Sequence, residues 1–275
     1  MAGPIDIRKV PISSRLSFFY FERGYLEVDG YAVVLRQKEL RTHIPVGATT
    51  CLMVGPGVVV THDAVRACAD EGTLLVWTGE QGVRCYSAGF PGGKSGEHIR
   101  RQAVLREDPK SHMTVARRLY EMMWDQEPPV TRSIEQLRGI EGRRVKQRYK
   151  DLAREFDVPW KGRRYEVEDF DASDAINKAI SAANYTLYSL AEAAILALGY
   201  TPAVGFIHSG HSRSFAFDVA DVVKMDTTVR LAFEVTREKG EQDIEHHVRL
   251  ACRNLFKETQ MPGRLVGIIE KALEA

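Results

Sequence analysis

The sequence predicts an α+β fold: a β-rich N-terminal domain at 1–87, a linker at 88–98, and an all-α C-terminal domain at 99–275. Three features carry that prediction. From Arg15 to about Ser87 the chain is a series of short β-type runs (RLSFFYF, YAVVLR, CLMV, VVV, TLLVW, VRCY) punctuated by Asp-Gly and Pro-Gly turns. The stretch 88-AGFPGGKSGEH-98 concentrates Gly, Pro and Ser, and it has neither the Lys-Ser/Thr nor the glycine spacing of a nucleotide-binding loop. Beyond it, apolar residues recur every three or four positions, the period of a helix with one buried face.

A single helix is expected inside the β-rich domain, at 62–72, with Thr61 as N-cap and Gly72 just past its end. After the linker, a piece around 98–107 is broken at Pro109 and followed by a second from about Ser111 to Trp124, which Pro128 and Pro129 close. A long helix then opens with Ser133 and Gln136 at the spacing of a capping box. Its apolar face is Ile134, Leu137, Val145, Tyr149, Leu152 and Phe156. Gly139 and Gly142 lie inside this helix, where each costs about 1 kcal/mol relative to alanine, so another backbone or a ligand is expected close by. The helix from about Asp174 to Leu198 is nearly continuous in apolar residues, is stopped by Gly199 and Pro202, and reads as the central buried helix. Helices at about 216–238, 243–259 and 263–274 complete the chain.

At 275 residues, with 44% hydrophobic and 27% charged residues, the composition is that of a globular protein with room for one large domain or two ordinary ones. No apolar run approaches the roughly 20 residues needed to span a bilayer, which excludes membrane insertion, and the N-terminus lacks the apolar centre of a signal peptide. Cys51, Cys68, Cys85 and Cys252 form no Cys-x-x-Cys pair and read as reduced thiols of an intracellular, cytoplasmic protein. Residues 132–164 carry eleven basic and five acidic side chains, whereas 165–275 carry eleven and seventeen. A basic band beside an acid-rich one fits a polyanionic substrate held by arginines and cut or joined at a metal.

The acid-rich region supplies the candidate site. Asp218 and Asp221 are three apart and project side by side from a helix. His208 precedes them in a turn-rich segment, and Glu141 falls on the apolar face of the long helix, where a carboxylate needs a partner, a metal or a proton. Two Asp, one Glu and one His form an oxygen-rich set that suits Mg²⁺ or Mn²⁺ better than tetrahedral zinc. Arg138 lies one turn from Glu141, and Arg163 and Arg164 run directly into Tyr165, a basic and aromatic pattern suited to phosphates and unpaired bases. Tyr188, on the apolar helix, reads as core.

The stretches 41-RTHIPVG-47, 72-GTLLVWTGEQGVR-84, 135-EQLRGIEG-142, 162-GRRY-165, 192-EAAILALGYTPAVGFIHSG-210, 214-SFAFDVADVVK-224 and 248-VRLACR-253 together resemble the CRISPR-associated integrase of the adaptation machinery, and within it the type I-E subgroup. The likeness spans essentially the whole chain. It implies an N-terminal β-domain that pairs into a homodimer, a helical domain with the metal site, and assembly around a small dimeric partner protein. It further implies capture of a double-stranded DNA fragment with single-stranded 3′ ends and its insertion into CRISPR array DNA. Carried over residue by residue, the resemblance implies a metal site of Glu141, His208 and Asp221 with Asp218 beside it. The DNA contacts it implies are Arg66, Arg84, Arg138, Arg163, Lys224 and Arg249, with Tyr165 and Tyr188 near the single-stranded end. Val59 and His211 stand where the subgroup can carry an arginine and a lysine, and the resemblance implies a motif-sensing tail that is not expected in this sequence, which ends at Ala275. The expected chemistry is metal-dependent transesterification by a 3′ hydroxyl. The alternatives are a structure-specific nuclease that uses water, and a non-catalytic scaffold for DNA ends.

Overall fold

The computed structural model describes residues 18–30, 32–38, 40–89, 96–163 and 174–274. Tyr165, Arg164, the first seventeen residues and most of the expected linker lie outside the described residues. A six-stranded mixed sheet is followed by helices, as the α+β reading expects. The strands are β1 (Phe18–Asp29), β2 (Ala32–Gln37), β3 (Leu40–Ile44), β4 (Cys51–Val60), β5 (Leu74–Thr78) and β6 (Cys85–Ala88), in spatial order β3-β2-β1-β4-β5-β6. The pairs β1/β4 and β4/β5 are parallel and the others antiparallel. Helix α1 (His62–Asp70) makes the crossover from β4 to β5, capped by Thr61, whose Oγ1 accepts from Ala64 N at 3.3 Å.

Alternation along β4 and β5 sends Cys51, Met53, Leu74 and Val76 into one core and Leu52, Val54 and Leu75 into another. The sheet centre is therefore covered on both faces, which explains why CLMV and TLLVW read as continuous apolar runs rather than alternating ones. β1 shifts register between Phe21 and Arg23. Gly57 is opposite that shift, where a Cβ would stand 2.8 Å from the Glu22 carbonyl oxygen, so only glycine fits.

The helices are α2 (Glu97–Glu107), α3 (Pro109–Trp124), α4 (Ile134–Glu155), α5 (Ala175–Ala197), α6 (Ser214–Lys224), α7 (Arg230–Lys239), α8 (Ile244–Glu258) and α9 (Met261–Leu273). The expected capping box of α4 is present: Gln136 N donates to Ser133 Oγ at 3.3 Å and Ser133 N to Gln136 Oε1 at 3.2 Å. α5 is buried around most of its circumference, as a central helix must be. It ends in a Schellman turn, with Gly199 at φ +76 and Tyr200 N donating to Ile195 O at 3.0 Å. The single helix expected at 216–238 is instead α6 and α7 joined through a π-helical turn at Met225–Val229. Thr227 and Thr228 hydroxyls in that turn donate to the carbonyls of Val223 and Lys224. Such turns insert one residue into a helix and frequently mark functional positions.

The expectation that something packs closely on Gly139 and Gly142 is not met among the described residues. A Cβ at either position would meet no atom within 4 Å. Both glycines face outward from α4, so the space over them is open.

Two cores meet among the helices. The first takes Leu137 of α4, the C-terminal half of α5, and Phe215, Val219 and Val223 of α6, with α3 and α9. The second takes Tyr149 and Leu152 of α4, Phe156 just past its end, Ile176 and Ile180 of α5, and residues of α7 and α8. α4 runs from one core to the other past Glu141, and α6, which carries Asp221 and packs in the first core, reaches the second through the π-helical turn and α7.

Candidate active site

The segment 200–213, between α5 and α6, is fastened onto α6 by one carboxylate. Asp218 is fully buried. Its Oδ2 accepts from Phe206 N at 2.5 Å and Ile207 N at 3.0 Å, and its Oδ1 from His208 N at 2.8 Å. His208 Nδ1 lies 2.8 Å from the same Oδ1. Gly205 lets the loop close this tightly, because a Cβ there would stand 2.7 Å from Ser214 Cβ. With Nδ1 donating to Asp218, the His208 tautomer leaves the Nε2 lone pair free, the arrangement that carboxylates impose on metal-ligating histidines. On the other side of the loop, His112 Nε2 lies 2.7 Å from Phe206 O and its Nδ1 3.0 Å from Arg106 Nη1. The Phe206–Ile207 peptide is thus held from both sides, through Ile207 N by Asp218 and through Phe206 O by His112.

Asp221 lies one turn beyond Asp218 and is 7% exposed, and Glu141 reaches the same region from α4. Burial and then the Asp221 charge raise the Glu141 carboxyl above the usual range. Tyr120 hydroxyl donates to Glu141 Oε2 at 3.4 Å. Burial disfavours a charge on His208, but the Asp218 hydrogen bond and the surrounding carboxylates outweigh it and hold its pKa above the ordinary value. Lys224 Nζ sits 2.5 Å from Asp221 Oδ1. Although burial opposes its charge, that carboxylate keeps it firmly protonated.

Among the described residues no group of three or more His, Cys, Asp or Glu side chains is placed to hold a metal ion. The chemistry of the donor set is nevertheless that of a divalent cation site. Two carboxylates repel each other across a buried seam, a third orients an imidazole toward them, and the Lys224 ammonium occupies one carboxylate oxygen as a stand-in cation. An oxygen-rich set with a single nitrogen matches a hard divalent ion. In this arrangement Glu141, His208 and Asp221 have donor atoms to offer, whereas both oxygens of Asp218 are already taken by the loop.

The positions expected to touch DNA fall into two groups. Around the carboxylates, Arg138 is exposed one turn before Glu141. Tyr188 packs edge-on against Phe217 at 4.8 Å, burial lifts its hydroxyl to about 12, and its ring centre is 6.0 Å from Lys224 Nζ. Phe217 in turn stands 6.0 Å from the His208 ring. The other group is on different elements. Arg66 is exposed on α1 and paired with Asp63 at 2.9 Å. Arg84 follows the turn after β5, with its guanidinium 5.4 Å from the Tyr185 ring centre. Arg249 on α8 is 3.9 Å from Glu80. Arg163 donates to Asn177 Oδ1 and Ser181 Oγ, both at 2.8 Å, which ties it to the first turns of α5. Tyr120 and His112 have no signal in the sequence, because each depends on which helices become neighbours, whereas Lys224 and Asp221 are an i,i+3 pair within α6 that helix spacing alone could have found.

The family model described as CRISPR associated protein Cas1 matches residues 19–125 and 121–253. The CRISPR-associated endonuclease Cas1 of Escherichia coli (strain K12) is 45% identical over 273 residues, covering 98% of this chain and 89% of the relative. The CRISPR-associated endonuclease Cas1 of Geobacter sulfurreducens is 45% identical over 270 residues, with 98% and 88% covered. The crystal structure of a TtCas1–DNA complex superimposes with a TM-score of 0.83 at 36% identity, over 93% of this chain and 96% of that one. A casposase bound to integration product shares the fold, with a TM-score of 0.55 at 15% identity over 88% and 86% of the two chains.

Proposed function

The chain belongs to the CRISPR-associated protein Cas1 family of DNA endonucleases and integrases, and on that premise we propose that it is the metal-dependent integrase of a type I-E adaptation complex. In this reading the 3′ hydroxyl of a bound DNA fragment attacks a phosphodiester of the array at Glu141, His208 and Asp221. The observation that carries it is the Asp218 clamp, which fixes His208 by its Nδ1 edge beside two repelling carboxylates, so that Nε2 becomes an acceptor once the ring gives up its second proton. The 45% identical E. coli relative supports the subgroup.

Glu141, His208 and Asp221 would hold Mg²⁺ or Mn²⁺. When bound, that ion supplies Lewis acidity toward a phosphate oxygen and offsets the charge that develops at phosphorus. The protein's own groups do the rest. Asp218 keeps His208 from rotating. Lys224 and Arg138 provide fixed positive charge beside the carboxylates, which stabilises an extra negative charge without reorganisation. The donor 3′ oxygen forms a bond to phosphorus and gives up its proton. The bond from phosphorus to the target's 3′ oxygen breaks, and that oxygen takes a proton. Tyr188, with Tyr165, would stack the unpaired 3′ bases and present the donor end in line.

The partners follow from the same reading: a double-stranded fragment with single-stranded 3′ ends, array DNA, a second copy of the chain, and a small dimeric adaptation protein, all in the cytoplasm. Residues 1–87 would form the pairing domain, 88–98 the linker and 99–275 the catalytic domain. Exposed apolar side chains on the sheet, Leu40 at 61% and Val59 at 52%, support pairing there. The relatives' description as endonucleases favours hydrolysis as the second reading, with water replacing the hydroxyl. A donor ending in a 3′ hydroxyl should become covalently joined to target DNA, and an identical 3′-dideoxy donor should not. Undiminished target cleavage with the dideoxy donor would establish water as the nucleophile.

A further inference from the structure

A cleft of about 390 Å³ opens directly onto the two carboxylates, because Glu141 and Asp221 themselves line it. His208, Phe217 and Tyr188 do not. From the carboxylates the cleft runs between the end of α3 and the middle of α4 toward the π-helical turn. Trp124 forms one wall, its ring 4.8 Å from that of Tyr120 and 4.5 Å below the Arg144 guanidinium. The far end carries Arg148, held by Asp226 at 2.7 Å, and Gln147, which donates to Asp151 Oδ1 at 2.8 Å.

A phosphodiester has a nucleoside on each side. Whichever nucleophile attacks at the carboxylates, one flanking nucleoside faces the His208 side and the other must go elsewhere. The cleft is the space available to it. At about 390 Å³ it is at the small end of the roughly 300–1,000 Å³ range of small-molecule sites, the scale of one small ligand. Its lining also selects the ligand's chemistry. Asp151 and Asp226 at the far end disfavour a second phosphate, while a flat, uncharged ring suits Trp124 on its face and Gln147, Arg148 and Asp151 at its edge. The Arg144 guanidinium carbon stands 4.5 Å over the Trp124 ring centre, so a base stacking on this wall either lies beyond the guanidinium or displaces it from the ring.

We propose that this cleft is a nucleoside subsite that takes the base of the target nucleotide flanking the scissile phosphate, stacked on the Trp124–Arg144 wall. The proposal rests on the reading of Glu141, His208 and Asp221 as the phosphodiester site. It adds a positioning element on the target strand that acts whether the nucleophile is a hydroxyl or water.

The test uses the full chain with Mn²⁺ and target duplexes whose base is removed at one or the other nucleotide flanking the scissile phosphate. For the wild type, one of the two abasic targets should raise KM by roughly tenfold, in keeping with the stacking energy of one base. Trp124→Leu keeps an apolar wall without the ring, and should show the same KM for intact and abasic targets. Trp124→Phe should restore most of the difference. Binding of targets carrying 2-aminopurine at the same positions should quench its fluorescence in the wild type and not in Trp124→Leu. Equal KM for intact and both abasic targets in the wild type overturns the subsite, as does an abasic penalty that persists undiminished in Trp124→Leu. If the wild type neither cuts nor joins DNA, the catalytic reading fails instead, and quenching on binding alone still decides the subsite.

Discussion

Replacing Asp218 with asparagine separates the two jobs this carboxylate performs. Its oxygens accept from three backbone N–H groups and from His208 Nδ1, at 2.5–3.0 Å. An amide has only one acceptor oxygen. If that oxygen faces Phe206 N and Ile207 N, the NH₂ group meets the His208 N–H donor and can only donate to Nδ1. The ring proton then moves to Nε2, and the lone pair aimed at the seam is lost. If the amide is turned round, two buried N–H donors face an NH₂. Either way about two hydrogen bonds to a charged acceptor disappear, each contributing roughly 1.5–3 kcal/mol. The expected loss is roughly 3–6 kcal/mol of stability, a lowering of Tm on the order of 10 °C for a chain of this size. Mn²⁺ affinity should fall about 10–100-fold, the usual effect of removing the group that orients a metal-binding histidine. His208 should also titrate at lower pH, because the carboxylate that favours its charged form is gone. Thermal melts, Mn²⁺ calorimetry and ring-nitrogen NMR of His208 measure these effects. An Asp218→Asn protein with wild-type Tm and Nδ1 still protonated would refute the clamp.

Lys224→Met should destabilise the metal-free protein by about 3–5 kcal/mol, the effect of leaving Asp221 as an unpaired buried charge, and Mn²⁺ should recover more Tm in the variant than in the wild type. Equal recovery in the two proteins would remove Lys224 as the stand-in cation. Glu141 and His208 both hold protons to higher pH than ordinary side chains, so metal binding must expel them. Affinity should weaken as pH falls, and the calorimetric heat should change between buffers of different ionisation enthalpy; a buffer-independent heat would count against both as ligands. Arg138→Ala should weaken binding to all DNA sequences and reduce the slope of log affinity against log salt by about one. An unchanged slope would return Arg138 to a solvated helix face.

Much of this architecture is legible in local sequence because it follows from local physics. The capping box at Ser133, the glycine stop at Gly199 and the three-to-four spacing in α4 and α5 each depend on residues within a few positions of one another. The sheet is legible as runs, but its mixed order is not, since β4 and β5 become neighbours only through the α1 crossover. The four site residues stand out as acids and a histidine in apolar surroundings. Their division of labour does not. Asp218 and Asp221 are equivalent by helix spacing, and only closure of the 200–213 loop shows that one receives backbone amides while the other faces Glu141. The π-helical turn after Lys224 is hidden because helical periodicity tolerates a single inserted residue. Gly139 and Gly142 suggest a close approach in sequence, yet no described residue fills the space above them. Arg163 reads in sequence as one of a basic band, but the fold commits it to Asn177 and Ser181.

In the function proposed above, the imidazole clamped by Asp218 and the carboxylates of Glu141 and Asp221 converge on one divalent cation. Electron paramagnetic resonance of Mn²⁺ titrated into the DNA-free protein tests it without reference to any reaction. One tight Mn²⁺ per chain is expected in the wild type. In Glu141→Ala, His208→Ala and Asp221→Ala proteins that keep the wild-type circular dichroism, that site should be absent. Wild-type Mn²⁺ affinity in either carboxylate variant would contradict the account.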